Sequence, residues 1–469
     1  MSQALAHAPE TPALDGHVMN DSGFMSFSMQ VQQFQKHLTD MQRNVLNHTF
    51  SHPKRDRGFC YVLAHCKQDH TGLKMSDLRG DARFQLHQLL TRVMSSQGYL
   101  KFLSVMQRER LLEEMEDASR RYPETFTATA GETGLAWKTP LKRNYNDYYI
   151  AFFGDLKQGE KWGMRLEGHH YSLNLTIDAR TKPITISATP LFMGVSPMVV
   201  PAPPKQTPQL YPRWYDSEGH HLMATESQLS KAIITAIDPD HREKAQWPTW
   251  PGPTLAGSID QVPPLAGKTD GDDNVYGFHI KKGDKKFKAL ITELFIEYLG
   301  VQRVTGIDQK QLTKELHRSG KIYWKGDFVA PMGKFYLRVE SDRYLFELLQ
   351  NDLWSVDSEH ASNHIHSSLR DLKADWDHDR LGEHLARFHN HKLVGKWETL
   401  PAIRMKGQAP KGIVILAHSS DSKGENMLRW GNFVAQLGFD AIIVDSFTPR
   451  HYENRKDVGW DAAVTDQSR

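Results

Sequence analysis

Two histidine pairs, His169-His170 and His364-Ile365-His366, carry the chemistry most readily read from this chain. On a strand, alternate side chains share a face, so His364 and His366 would point the same way, about 6 to 7 Å apart along the backbone. That spacing can chelate one ion. In the first block His170, Ser172, Asn174 and Thr176 alternate with Tyr171, Leu173, Leu175 and Ile177, which places His170 on a polar face. His169 would face the core unless Gly168 introduces a bulge. Neutral imidazoles from two strands, joined by a carboxylate such as Glu167 or Glu347, would leave an open position for water or substrate. A metal set drawn from His169, His170, His364 and His366 with one of these carboxylates, Glu167 or Glu347, is expected, the ion being divalent zinc, or iron or copper. Against this stands the fact that the chain has 24 histidines, so close pairs also arise without function.

The elements that must position these residues are legible from period. Met29 to Leu46 and Gly80 to Arg121 have helical spacing, the second with a dense charged outer face over Arg108 to Arg120. From Asp147 the runs YYIAFFGD, KWGMRLEGHHYSLNLTID and PITISATPLFMGV read as at least three adjacent strands. Residues 197 to 264 hold 12 of the 23 prolines, with a helical island at Glu226 to Ile237, and read as a surface excursion of the kind that forms lids. Helix returns at Lys285 to Gly300 and Asp308 to Ser319, followed by the strand-like runs IYWKGDFV, KFYLRVES and YLFELL. After the second histidine pair a helix is expected over Asp379 to Asn390, then a linker or edge strand from Val394 to Met405. GIVILAH, NMLRWGNFVAQLG and DAIIVDSF then have the pattern of a buried parallel strand, helix and strand. The fold class is α+β, and the domain division is a disordered start (1–28), a large α+β domain (29–392), a linker (393–410) and a partial α/β unit (411–469).

Composition narrows the partners. Apolar residues at 39%, charged residues at 24% and a mean hydropathy of −0.56 describe a globular protein, and a formal charge of +2 with no single-sign run argues against nucleic acid. No stretch approaches the roughly 18 apolar residues that cross a bilayer. The first thirty residues lack a signal-peptide pattern. Only Cys60 and Cys66 are present, in a spacing that fits neither a zinc knuckle nor a redox pair, so a cytoplasmic setting is expected. Gly267-Lys268-Thr269 and Ser420-Asp421-Ser422-Lys423 lack the context of a phosphate loop or a serine-lysine motif, and His384, His389 and His391 do not share one helix face.

The blocks WGMRLEGHHYSLNLTI, TPLFMG and YYIAFFGD, with FELLQNDLWSVDSEHASNHIHSSLRD, resemble a bacterial and fungal family known as domain-of-unknown-function 3500, over about residues 30–390. The resemblance implies site roles for Gly168, His169, His170, Asn174, Glu347, Asn363, His364, His366, Arg370 and Asp371. Among these, with Glu167, the expected catalytic groups are Glu167, Asn174, Arg370 and Asp371. The last block, KGIVILAHSSDSKGENMLRWGNFVAQLGFDAIIVDSFTPR, is similar to the opening of dienelactone-hydrolase-type α/β-hydrolases, which implies that His418 begins an oxyanion-hole loop. The G-x-S-x-G elbow of that family occurs nowhere in the 469 residues, so this segment is expected to be a truncated fusion without its own nucleophile.

Three functions compete. The leading one is a metal-assisted hydrolase acting on a small organic substrate. A metal-dependent oxidoreductase would use the same ligands. A non-catalytic binder would hold an acidic or sugar-like molecule with the histidines, Asn174 and Arg370.

Overall fold

Strands that alternate apolar and polar residues assemble, in a computed structural model of the chain, into one large sheet with chemically different faces. The structure describes residues 18–56, 70–122, 147–203, 211–247, 277–351, 363–377, 391–393, 402–406, 411–417 and 425–444. The chain divides into two compact units, Met1–Asp379 and Arg380–Arg469.

In the first unit the strands are β1 Val18–Met19, β2 Asn47–His48, β3 Leu73–Lys74, β4 Tyr149–Phe153, β5 Lys161–Gly168, β6 Tyr171–Asp178, β7 Ile184–Ser187, β8 Leu191–Val195, β9 Phe278–His279, β10 Lys321–Gly326, β11 Phe335–Glu340, β12 Tyr344–Gln350 and β13 Ile365–Asp371. Their order is β2-β4-β5-β6-β8-β13-β12-β11-β10-β9, with β3 beside β4 and β7 joining β1 to β6. Among the described strands of this unit, β2 with β4 is the only parallel pair. The helices are α1 Asp21–Lys36, α2 Asp40–Leu46, α3 Gly80–Val93, α4 Ser96–Arg121, α5 Pro212–Ser217, α6 Ala224–Ala236, α7 Pro239–Lys244, α8 Lys285–Leu299 and α9 Gln309–Ser319. The fold class is α+β.

Register explains the two faces. Leu166, Leu173, Leu191, Leu369, Phe346 and Val339 are successive cross-strand partners, and all are buried. Helices cover that apolar face: Phe27 of α1 meets Trp162 edge-on at 5.7 Å, and Tyr298 of α8 meets Phe346 at 4.8 Å. Each large side chain so buried contributes about 1.5–3 kcal/mol. One residue along, the same strands pair Glu167, Ser172, Phe192, Ser368, Glu347 and Arg338 in a row. This second face is polar and yet also buried.

Several elements differ from the sequence reading. The ordered fold begins earlier, since Val18–Met19 is a strand and Asn20 caps α1 by accepting from Gly23 N at 2.7 Å; residues 1–17 lie outside the described residues. Each long helical stretch is two helices. Thr39 and Gln42 form a capping box that starts α2, and Ser95 accepts from Gly98 N at 2.9 Å to start α4. The helical island of the proline-rich excursion belongs to the core: α6 packs on α8 and buries Ile233 and Ile234, while its buried Glu226 meets Lys101 of α4 at 2.6 Å. Residues 204–210 and 248–276 of that stretch, and the helix expected over Asp379 to Asn390, lie outside the described residues.

Asp178, at the end of β6, accepts from Arg180 Nε at 2.8 Å and Nη2 at 2.7 Å. Those bonds lower its carboxyl to about 2, against burial. A depressed folded pKa gives stability that is complete above about pH 4 and lost as pH falls toward 2. The melting-temperature gap between wild type and Asp178→Asn should therefore narrow between pH 5 and pH 2; a constant gap would assign the effect to packing.

In the second unit β14 His391–Leu393, β15 Ala402–Met405, β17 Asp440–Val444 and β16 Ile413–Ala417 lie in that order, with β16 parallel to β17, and α10 Glu425–Gln436 runs between them in sequence. The parallel pair is therefore present; among the described residues β16 pairs with β17 alone, and Ile413 and Ile415 are exposed. The expected linker contains β15, which pairs on both sides. His418 and Asp445 to Phe447 lie outside the described residues. Among the described residues no helix is long and apolar enough to cross a membrane.

Candidate metal centre

The first histidine pair is a turn rather than part of a strand. Gly168 and Tyr171 are the last register partners of β5 and β6, so His169 and His170 are the two residues of the hairpin loop. Gly168 stays in register and makes no bulge. It has no side chain because a Cβ there would stand 2.4 Å from the Tyr148 ring.

The turn delivers both imidazoles to Glu109 of α4. His169 Nδ1 lies 2.9 Å from Glu109 Oε1, and His170 Nδ1 contacts the same oxygen. Burial alone would raise the Glu109 carboxyl, but His169 and His170 outweigh it and hold it well below the usual carboxylate range. An ionised carboxylate only accepts hydrogen bonds, so both Nδ1 atoms carry the proton and donate. The opposite nitrogen of His170, Nε2, lies 2.9 Å from His364 Nε2.

His364 sits just before β13, held by two asparagines. Asn351, in the left-handed region at φ 54°, accepts from the backbone N–H of Asn363 at 2.6 Å and of His364 at 2.9 Å through Oδ1. Asn363, at φ 85°, pairs its amide with both backbone groups of Val199, at 2.7 and 2.6 Å. Asparagine is among the few non-glycine residues that visit this region readily. His366, on β13, completes the group: its ring centroid is 4.2 Å from that of His364 and 5.4 Å from that of His170. Burial first, then the neighbouring imidazoles, holds His366 well below its ordinary value, so it is neutral with a lone pair to offer.

Two overlapping groups of metal-ligand type result, each with its ligand atoms within 4.8 Å: His170, His364 and His366, and Glu109, His169 and His170. Gly194 lets the first group close. Its N–H donates to His170 O at 2.8 Å, and a Cβ there would stand 2.5 Å from His366 Cδ2 and 3.0 Å from His170 Cδ2. Gly194→Ala is expected to cost about 1–3 kcal/mol of stability through overpacking and to weaken metal binding by about tenfold or more, or about 1.4 kcal/mol. Denaturation and chelator competition would check both; an unchanged metal affinity would show that the rings have room.

The other expected site residues are engaged elsewhere. Glu347 accepts from Tyr336 Oη at 2.5 Å and faces Arg338 at 3.6 Å, because its cross-strand neighbours are Arg338 and Ser368 rather than a histidine. Glu167 pairs with Arg165 at 3.1 Å and accepts from Thr71 N at 3.3 Å. Asn174 donates to Pro190 O at 2.9 Å and accepts from Trp376 Nε1 at 3.1 Å. Arg370 binds Asp375 at 2.6 Å, and Asp371 takes Arg343 in a forked pair at 2.7 to 3.0 Å. Glu347, Glu167, Asn174 and Arg370 cross-link the polar sheet face.

Residues 24–378 match the sequence profile of the family described as Protein of unknown function (DUF3500). The chain belongs to that family. The match spans Glu109 and all four histidines. No curated protein and no solved structure matches the chain.

Glu109 is the residue that sequence reasoning missed, having been counted in a charged outer face. Its signal was phase. Phe102, Val105, Met106, Glu109, Leu112 and Glu116 recur at helical spacing on one stripe of α4, and all are buried. A glutamate in phase with the core stripe must find a partner inside.

Proposed function

We propose that this protein is a metal-assisted hydrolase acting on a small organic substrate, with one divalent ion held by His170, His364 and His366. The observation that carries the reading is the meeting of His170 Nε2 and His364 Nε2 at 2.9 Å beside neutral His366. Two nitrogens bound tetrahedrally at about 2.0–2.1 Å stand about 3.3 Å apart, close to that separation. A zinc ion with three imidazole ligands keeps a fourth position for water and lowers the water's pKa to about 7. Glu109 fixes the His170 ring through Nδ1 and so directs Nε2 at the ion, a carboxylate–histidine–metal relay. Asn351 and Asn363 do the same for His364 through the backbone.

Hydrolysis is chosen on the resemblance of the C-terminal block to dienelactone-hydrolase-type proteins. The all-imidazole donor set suits copper or iron equally well, which keeps an oxidoreductase as the alternative. The binding-protein reading drew on the histidines with Asn174 and Arg370, and the last two are engaged with partners within the fold.

Metal analysis of protein purified without added metal tests the proposal. About one equivalent is expected in wild type and almost none in His366→Ala, with chelation abolishing hydrolysis of p-nitrophenyl acetate and zinc restoring it. Equal, substoichiometric metal in both proteins would overturn the metal centre. Metal-linked visible or paramagnetic signals without hydrolysis would select the oxidoreductase.

A further inference from the structure

The second ligand group lies on the other side of the same ring. His170 presents Nε2 to His364, while its Nδ1 shares Glu109 Oε1 with His169 Nδ1. The His169 and His170 rings lie tilted against each other, with centroids 3.7 Å apart and planes 34° from parallel, and their Nδ1 atoms converge on one oxygen. Carboxylate oxygen and two imidazole nitrogens within 4.8 Å of one another form a donor set for a first-row divalent ion.

The geometry points to a second divalent cation site made of Glu109, His169 and His170, joined to the first through the His170 ring. It rests on the three-imidazole reading for its first ion. At one equivalent Glu109 accepts the two Nδ1 protons. The second ion replaces them: His170 releases its Nδ1 proton to solvent and becomes a bridging imidazolate, while His169 moves its proton from Nδ1 to Nε2. The carboxylate oxygen exchanges two hydrogen bonds for one bond to the ion. Two metal–nitrogen bonds of about 2.0–2.1 Å across one ring set the ions about 6 Å apart.

A second observation lies beside the same group. The Tyr148 ring packs against Gly168, the neighbour of His169, and the Tyr148 and Tyr171 phenol oxygens are buried without a hydrogen-bond partner. Both rings meet Phe102 of α4, the helix that carries Glu109, at 5.4 and 5.0 Å. Buried phenols ordinarily have partners. The Glu109 charge acts on the Tyr148 phenol, so an ion or its water beside Glu109 would supply a partner for Tyr148.

Equilibrium dialysis of metal-free protein against zinc, with metal counted per chain, tests the second site. Wild type should hold about two equivalents, and His169→Ala about one. His169→Gln serves the same purpose if the alanine variant fails to fold by circular dichroism. In copper-loaded wild type, coupling through the bridge should lower the integrated paramagnetic signal below that of two spins, and each His169 variant should recover a full spin per copper. One equivalent in all proteins, abolished by His366→Ala, would overturn the second site and leave the first standing. Two equivalents in every His169 variant would place the second ion elsewhere and also overturn it. None in wild type would overturn both readings.

Discussion

Glu109→Gln is expected to weaken binding of the ion at His170, His364 and His366 by about 10- to 100-fold, the usual effect of removing a carboxylate that orients a ligating histidine. Glutamine keeps the shape and one accepting oxygen but loses the charge that holds both Nδ1 protons in place. The His170 ring is then free to choose the other tautomer, which puts a proton on Nε2 where the ion needs a lone pair. Chelator competition with zinc would measure it. A change smaller than about threefold would show that the hairpin, rather than Glu109, sets the ring.

Arg338→Met should have the largest effect on stability, about 3–5 kcal/mol, because it strands buried carboxylates without their counter-charge. Arg338 binds Glu340 at 2.6 Å and faces Glu347 at 3.6 Å, and all three are nearly inaccessible to solvent. Burial by itself would lower the guanidinium, yet the Glu340 charge, followed by Tyr336 and Glu347, raises it above its ordinary value. Urea denaturation should show the loss, and adding Glu340→Leu should recover part of it, since an apolar set is cheaper to bury than half of an ion pair. A loss below about 1 kcal/mol would mean that water reaches this face.

The histidines were legible because their spacing is local, whereas the company they keep is not. Alternation around Ser172 and Asn174 identified a polar face correctly, but it could not tell a solvated face from the buried one observed. Glu347 and Arg370 fall on that face with His366, and nothing local in sequence separates residues that cross-link a sheet from residues that meet an ion. What separates them is register: Glu347 stands opposite Arg338 and Ser368, and His366 opposite Gly194 and Leu349. Helix breaks at Thr39 and Ser95 were readable as caps, yet continuous apolar periodicity concealed them. Glu109 needed the phase of α4 to be taken as seriously as the identity of its charge.

In the sheet the hairpin that holds His169 and His170 and the strand that holds His366 are joined through β8, whose Gly194 lies between them. His170 and His364 are 194 positions apart in the chain. Contacts of such separation form late, after the loop-closure entropy between them has been overcome. An ion therefore cannot seed the folding of this domain in the way it does a zinc finger. Refolding should proceed at the same rate with or without zinc, and the metal should act instead on the lifetime of the finished state, slowing its opening.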